Sequence, residues 1–421
     1  MRQSHLFTKT RKEAPKDEVS KNAELLIRGG FINKELAGVY DFLPLGLIVL
    51  RKIEDIVREE MNKIGGQEML LTVLQDKEVW SATDRWEDAK VDVWFKTELK
   101  NGGKLGLGFS HEEPLTRLLK DHIRSYKDLP KAIYQIQTKF RNEVRAKSGI
   151  MRGREFQMKD MYSFARDEKE HEEFYERAKI AYMNVFERLG LGATTFMTFA
   201  SGGIFSKYSH EFQTVTPAGE DVIYVDEKKK LAVNKEVYTD EVLENLKLNK
   251  KDLKEEKAIE VGNIFSLGTR FSDALGLKYI DEKGKEKPVI MGCYGMGPSR
   301  LMGTVVEVLS DGKGIVWPES IAPFRIHLIE IAGKGEKVTA EALKILKEFE
   351  SNGFEVLHDD RKVSAGEKLS DSDLLGIPWR VVISEKMLLE NKLELKNRKS
   401  GEIKITDLNE TLKIIKGIKP L

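Results

Sequence analysis

Tyr134–Phe164, YQIQTKFRNEVRAKSGIMRGREFQMKDMYSF, gathers residue types that could do chemistry on a charged, flat ligand. Two alternating runs, Tyr134–Val144 and Glu155–Phe164, flank a loop rich in Arg, Lys and Gly. Alternation puts i and i+2 on one sheet face. Arg141 and Glu143 therefore point the same way as Gln137 and Lys139, and Phe156, Met158, Asp160, Tyr162 and Phe164 share a face of the second run. A planar guanidinium suits two oxyanions at once, and an aromatic plate suits a flat ring. A carboxylate among large apolar side chains is costly until it meets a cation. Such a set fits an anionic, flat ligand with a cationic tail, as in a nucleotide joined to an amino acid. Phe156, Met158 and Phe164 could equally be core.

A second stretch, Gly292-Cys293-Tyr294-Gly295-Met296-Gly297-Pro298-Ser299-Arg300, reads as a strand running into a helix. Pro298 takes the first helical position and Arg300 the first turn. A glycine-rich turn of this kind can cradle phosphate or simply pack tightly. Its spacing is neither GxGxxG nor GxxxxGK[ST].

These residues need a scaffold. After Pro44 an apolar stripe at helical spacing, Leu50, Ile53, Val57, Met61 and Ile64, predicts a helix that Gly65-Gly66 ends. A strand is expected near Glu68–Val73, then a polar loop carrying Trp80, Trp86 and Trp94. Leu105–Ser110 reads as a strand entering His111-Glu112-Glu113-Pro114, with Pro114 opening a helix to about Ser125. Glu168–Leu189 is a long amphipathic helix, and Tyr238–Leu253, within a Lys/Glu-dense tract at 226–258, reads as a solvated one. Gly262–Phe271 reads as strand then turn. Beyond a boundary at Gly312–Phe324 strands and helices alternate in short units, from strand Arg325–Ile331 to strand Trp379–Ser384, a hairpin near Lys399-Ser400-Gly401 and a terminal helix. That alternation predicts a compact α/β domain with a largely parallel sheet.

Composition sets limits. A chain of 421 residues predicts two or three domains. Seventy basic against sixty-nine acidic residues mean that a polyanion would be met by local sorting of charge. The one cysteine, Cys293, excludes an intramolecular disulfide and a zinc site built on two or more thiolates. No run approaches the roughly eighteen apolar residues of a membrane helix, and the basic N-terminus lacks the apolar core of a secretory signal. A cytoplasmic protein with no membrane partner is expected.

Taken in order, three stretches resemble the signature motifs of class II aminoacyl-tRNA synthetases. The helix introduced by Pro44 resembles motif 1 (about 38–66), Phe140-Arg141-Asn142-Glu143 with its loop and Phe156 resembles motif 2 (about 134–164), and Gly295–Arg300 resembles motif 3 (about 288–309). The wording is more similar still to the prolyl-tRNA synthetase family: GVYDFLPLG, FSHEE, FRNEVR, MRGREFQMKDMYSF, SHEFQ, GNIFSLGT, MGCYGMGPSR and DDRK–GIP cover nearly the whole chain. The resemblance implies an α+β fold. A six- or seven-stranded antiparallel sheet with flanking helices would occupy residues 1–320, followed by a smaller α/β anticodon-binding domain over 324–421, with a homodimer formed through motif 1. Two departures matter. Where the common bacterial enzyme carries an editing domain, Val225–Glu260 spans about thirty-five residues, too short for a domain. This points to the short bacterial and mitochondrial-like form without cis-editing, with a separate trans-editing deacylase as a candidate partner. The threonine of the family's TxEE loop is Ser110 here, which keeps the hydroxyl and loses a methyl.

The reaction so implied joins L-proline to ATP as prolyl-adenylate and passes the prolyl group to the 3′ end of tRNA(Pro), using Mg²⁺ and no structural zinc. By the same resemblance Arg141 would bridge the proline carboxylate and the α-phosphate. Glu143 would accept from the adenine amino group, Phe156 would stack on one ring face, and Arg300 would cover the other and reach the γ-phosphate. Arg152 would hold the triphosphate, Asn263 would touch ATP, and Glu260 would bind Mg²⁺. Ser110 and Glu112 would meet the proline ammonium with Asp160 as a second carboxylate, and Met158, Tyr162 and Phe265 would wall the ring. His111 reads as an incidental loop residue and Cys293 as a small structural one. Arg145, with Lys147 close by, would meet the tRNA acceptor end. Asp359–Lys362, Lys368 and Lys396–Lys399 could contact phosphates from the C-terminal domain. A sister class II synthetase (threonyl, histidyl, glycyl or seryl) and a binding-only paralogue stay open at this level. A class I enzyme would need HIGH and KMSKS, and neither string occurs.

Overall fold

In the computed structural model, which describes residues 1–144, 146, 148–202, 208–331 and 336–417, the helical stripe forms α1 (Pro44–Lys63). Pro44 loses nothing at the first position, where its N–H would have no partner. Leu50, Ile53, Val57 and Met61 are buried. The helix gives way at Gly65, whose φ of +93° an L side chain resists. The strand expected over Glu68–Val73 shrinks to β1 (Gln67–Glu68). The cause is local: Gln135 Oε1 accepts from Leu71 N at 3.0 Å and Gln137 Nε2 donates to Leu71 O, so side chains replace the ladder.

Two compact units divide the chain, one of Leu36–Val39 and Glu54–Thr304, the other of Met1–Glu35, Tyr40–Ile53 and Val305–Leu421. The first holds a three-stranded sheet of β2 (Leu74–Asp76), β3 (Lys96–Glu98) and β4 (Lys104–Leu107), with β4 central. Trp80, Trp86 and Trp94, expected on a polar loop, are buried around it with Phe109. Trp94 packs so close to β4 that a Cβ on Gly106 would stand 2.1 Å from its ring. Then α2 (Glu112–Leu119) starts two residues before Pro114 and ends well before Ser125. Pro114 still falls in the first turn, where a missing N–H is tolerated.

The large sheet contains β1, β5 (Lys131–Phe140), β6 (Glu155–Ala165), β7 (Thr195–Ser201), β8 (Tyr208–Val215), β9 (Asp221–Asp226), β10 (Leu231–Asn234), β11 (Lys254–Gly268) and β12 (Ile290–Met296). Its order is β8-β7-β10-β9-β11-β12-β6-β5-β1, with β8 also pairing β11. Every pairing is antiparallel except β10 with β7 and β1 with β5. Among the described residues nine strands replace the expected six or seven, in part because the Lys/Glu tract supplies β10, which hairpins with β9. In place of the long solvated helix that tract forms a short one, Asp240–Asn245, whose Val242 and Leu243 bury against Val233 and Leu248. The interval is thus built into the sheet and holds no separate domain among the described residues. Helix α3 (Glu168–Arg188), capped by the Asp167 side chain, packs on β6 and β12. After β11 come α4 (Arg270–Leu275) and, beyond β12, α5 (Pro298–Leu309).

In the second unit β13 (Ile326–Ile331), β14 (Val356–Asp359), β15 (Trp379–Ser384), β16 (Leu393–Asn397) and β17 (Ile403–Thr406) lie in the order β14-β13-β15-β16-β17. The first three are parallel and the last two antiparallel, so the sheet is mixed rather than largely parallel. Its core joins Ile326, Leu328, Val381 and Ile383 to Val338, Ile345 and Phe349 of α6 (Lys337–Ser351). Lys368, on α7 (Ala365–Leu375), is buried and donates to Glu330 O at 2.7 Å and Asp359 O at 3.0 Å, so it does not reach out to phosphate. Arg361 and Lys396 are likewise committed, to Asp359 and Asp371 and to Asp373, whereas Lys362 and Lys399 are exposed. Among the described residues no helix is long and apolar enough to cross a membrane.

Candidate active site

Cross-strand register assembles one cleft. Asn263 on β11 faces Gly295 on β12, Gly295 faces Asp160 on β6, and Asp160 faces Gln135 on β5. The neighbouring row on the same face is Phe265, Cys293 and Tyr162, because opposite residues share a face and the period is two. Gly295 keeps the first row shallow, since a Cβ there would lie 2.9 Å from Asn263 Oδ1. All the expected site residues except Arg145 line this cleft. Arg145 and Lys147 lie outside the described residues.

At one end the charge is positive. Strand β5 stops at Phe140, so Arg141 and Glu143 stand just beyond the ladder, against the expectation that the run reaches Val144. The backbone turns there because Arg141 N donates to Arg154 O at 2.8 Å and Asn142 N to Val93 O at 2.7 Å. The Arg141 guanidinium sits 4.8 Å from the Phe109 ring centre and 5.4 Å from that of Phe156. Among the described residues its buried Nε has no hydrogen-bond partner. Burial, then the charge of Arg300, weakens its hold on the proton, a penalty that a bound anion would relieve. Arg300, in the first turn of α5, donates to Met151 O and to Glu260 O, each at 2.8 Å. Arg152 pairs with Glu143 at 2.8 Å and Glu220 at 2.7 Å, so the two residues expected to hold different parts of a nucleotide hold each other here.

Between Arg300 and Asn263 lies Glu260, whose Oε1 accepts from Asn263 Nδ2 at 2.5 Å. Sequence reasoning missed its neighbour Glu211 on β8, whose carboxyl is pushed above the usual range by burial and then by the charge of Glu260. A carboxyl raised by a neighbouring carboxylate suits a cation. Among the described residues no group of three or more His, Cys, Asp and Glu is arranged to hold a metal.

The other end is acidic and dry. Glu112 is buried, 3.4 Å from Arg85 and 3.4 Å from the Cys293 thiol. Asp160 is also buried, yet its oxygens are taken: Oδ1 lies 2.8 Å from Lys139 Nζ, and Oδ2 accepts from Gln135 at 3.0 Å and Tyr162 at 3.1 Å. Its expected place as a second ammonium carboxylate is therefore revised, since it anchors the floor instead. His111 is not incidental. It is fully buried, with Nδ1 2.8 Å from Lys139 Nζ and Nε2 3.0 Å from Thr72 O, and its backbone N–H donates to the Tyr162 hydroxyl at 3.1 Å. Burial and the Lys139 charge bring its pKa down to about 4. Cys293 lines the cleft too, its thiol pushed well up by burial. Alternation had placed Lys139 and Gln137 on the cleft face without a role. Arg85, on an irregular loop, gave no periodic signal.

The profile of the tRNA synthetase class II core domain (G, H, P, S and T) matches residues 95–309, and that of the anticodon binding domain matches 323–418. The proline–tRNA ligase of Rickettsia bellii is 39% identical over 419 residues, covering 97% of this chain and 96% of that one. That of Zymomonas mobilis is 39% identical over 438 residues, covering 99% and 98%. The crystal structure of a prolyl-tRNA synthetase from Cryptosporidium parvum, complexed with L-proline and AMP, shares the fold with a TM-score of 0.76 at 16% identity, covering 93% of this chain and 73% of that one. With motifs, cleft and full-length relatives in agreement, the chain belongs to the prolyl-tRNA synthetase family of class II aminoacyl-tRNA synthetases.

Proposed function

We propose that this chain activates L-proline with ATP to prolyl-adenylate and transfers the prolyl group to the 3′ end of tRNA(Pro). The observation that carries the reading is the polarity of the cleft. Arg141, whose buried Nε has no partner among the described residues, stands toward Arg300 at one end, and Glu112 lies buried at the other. An amino acid carries its carboxylate and ammonium in that order.

The chemistry needs positioning and charge stabilisation rather than a protein nucleophile. Arg141 holds the proline carboxylate against the α-phosphate with its planar fork, so that a carboxylate oxygen attacks phosphorus as pyrophosphate leaves. Phe156 and Arg300 sandwich the adenine, Arg152 exchanges Glu220 for the triphosphate, and Glu143 turns to the adenine amino group, with Asn263 at the ATP edge. Ser110 and Glu112 receive the ammonium, and Met158, Tyr162 and Phe265 enclose the ring. Glu260 and Glu211 would hold Mg²⁺, which when bound neutralises phosphate charge. A catalytic domain over 1–320 and an anticodon domain over 324–421 are part of the proposal. The profile matches support 95–309 and 323–418 of them, whereas Met1–Glu35 and Tyr40–Ile53 group with the C-terminal unit. Arg145 meets the acceptor end, and Lys362 and Lys399 remain the exposed candidates in the anticodon domain. A homodimer through motif 1, a cytoplasmic location and a separate trans-editing deacylase complete the proposal.

Amino-acid-dependent ATP–pyrophosphate exchange, run with all twenty amino acids and no tRNA, tests it. Proline should support exchange. Exchange with a different amino acid would keep the class and sink the prolyl assignment, and none with folded, ATP-binding protein would sink activation itself.

A further inference from the structure

We infer that Arg85 is a positioning residue that divides two adjacent buried glutamates, anchoring Glu113 and leaving Glu112 as the carboxylate that receives the amino acid's ammonium. The inference rests on the amino-acid activation proposed above and deepens it.

Arg85, Glu112 and Glu113 are all buried. The guanidinium Nη1 lies 2.9 Å from Glu113 Oε1 but 3.4 Å from Glu112 Oε2. It also lies 4.9 Å from the Trp80 ring centre and 5.5 Å from that of Phe271. Thr83 Oγ1 donates to the same Glu113 oxygen at 2.7 Å. Glu112 lines the cleft, whereas Glu113 is not among its lining residues. The stronger bonds thus go to the carboxylate that faces away from the substrate.

Charge counting makes the arrangement informative. Among the described residues Arg85 is the one cation within ion-pairing distance of either glutamate. Two carboxylates against one guanidinium leave one buried negative charge, which demands a proton or another cation. The other groups acting on the pair do not supply it. From β12 the Cys293 thiol, and from β6 the Tyr162 hydroxyl, are pushed well up by burial and stay neutral. His111, beside them in sequence, is neutral at physiological pH. On β5 and just beyond it, Lys139 is committed to Asp160, and Arg141 belongs to the anion end. Burial raises the Glu113 pKa, the Arg85 charge opposes that rise and the nearness of Glu112 adds to it. An ammonium arriving beside Glu112 supplies the missing positive charge.

Proline-dependent pyrophosphate exchange in R85M, E113Q and R85M/E113Q, from about pH 6 to about pH 9, tests this against a thermal melt of each variant. In R85M, KM for proline should rise about tenfold near neutrality and recover as pH rises and the pair loses its proton, with KM for ATP unmoved. E113Q is nearly isosteric and should fold. There Arg85 turns wholly to Glu112 and competes with the ammonium, so KM for proline rises although residue 113 does not touch the cleft. The double variant keeps a single carboxylate and should restore KM toward the unmodified value. An unchanged KM in E113Q, or a pH-independent loss in R85M falling equally on proline and ATP, would overturn the inference. If the unmodified chain exchanges with another amino acid, the same variants are measured with that one, and only the prolyl assignment fails. An unmodified chain that exchanges with none removes the activation reading and this inference together.

Discussion

Lys139 Nζ lies 2.8 Å from Asp160 Oδ1 and 2.8 Å from His111 Nδ1, with all three side chains buried beneath the cleft. An ammonium has only hydrogens to offer, so His111 Nδ1 is the acceptor and its proton sits on Nε2, facing Thr72 O. The His111 backbone N–H points at the Tyr162 oxygen, which leaves that hydroxyl to donate to Asp160 Oδ2. One ion pair thereby fixes a tautomer and a hydroxyl on the wall of the site.

Breaking that pair from one side should be costly. Lys139→Met strands a buried carboxylate, and a loss of about 3–5 kcal/mol in unfolding free energy is expected. Denaturant titration checks it as a lower midpoint at unchanged slope. Lys139→Met/Asp160→Asn should recover most of the loss.

Acid should destabilise the chain in a defined window. Burial holds His111 at about 4, His210 at about 4 and His327 at about 3, all below the ordinary value of 6.5. Each stays neutral when folded, so its contribution is fully present above pH 6.5 and is lost as pH falls toward its folded value. The slope is at most about 1.4 kcal/mol per pH unit for each histidine. His327→Gln should flatten the dependence of the unfolding midpoint between those limits, and an unaltered slope would count against it.

Arg141→Ala should lower amino-acid-dependent exchange by about 10²–10³-fold. Arg141→Lys should not rescue it, because a point charge cannot bridge two oxyanions. Titrating ATP binding alongside separates this from loss of the nucleotide.

Phe156→Ala should raise KM for ATP about tenfold, as expected for losing one base-stacking plate. KM for proline should move far less. An equal rise in both would place Phe156 in the core instead.

In the anticodon domain Lys362→Ala should weaken tRNA binding and lower the salt slope by about 1. Lys368→Met should leave the salt slope alone and reduce stability, since its ammonium is buried against two carbonyls. A filter-binding salt series on both variants distinguishes them.

Much of this was legible in sequence because it depends on period and local chemistry. Alternation put Phe156, Met158, Asp160 and Tyr162 on one face, and they line one cleft. Pro44 and Pro298 marked two helix starts where they occur. Irregular segments misled: Trp80, Trp86 and Trp94 follow no period, so nothing local announced that they pack together.

Which residues carry chemistry, and which face of their element they occupy, follow from residue type and a fixed backbone repeat. Which charge neutralises which is settled by packing. Lys139 and Asp160 meet because the hairpin register sets Gln135 opposite Asp160, and loop length, which periodicity does not count, sets that register. Arg85 meets Glu112 and Glu113 from a separate loop. Buried charge is tolerated only beside its counter-ion, and that nearness is a property of the packed chain.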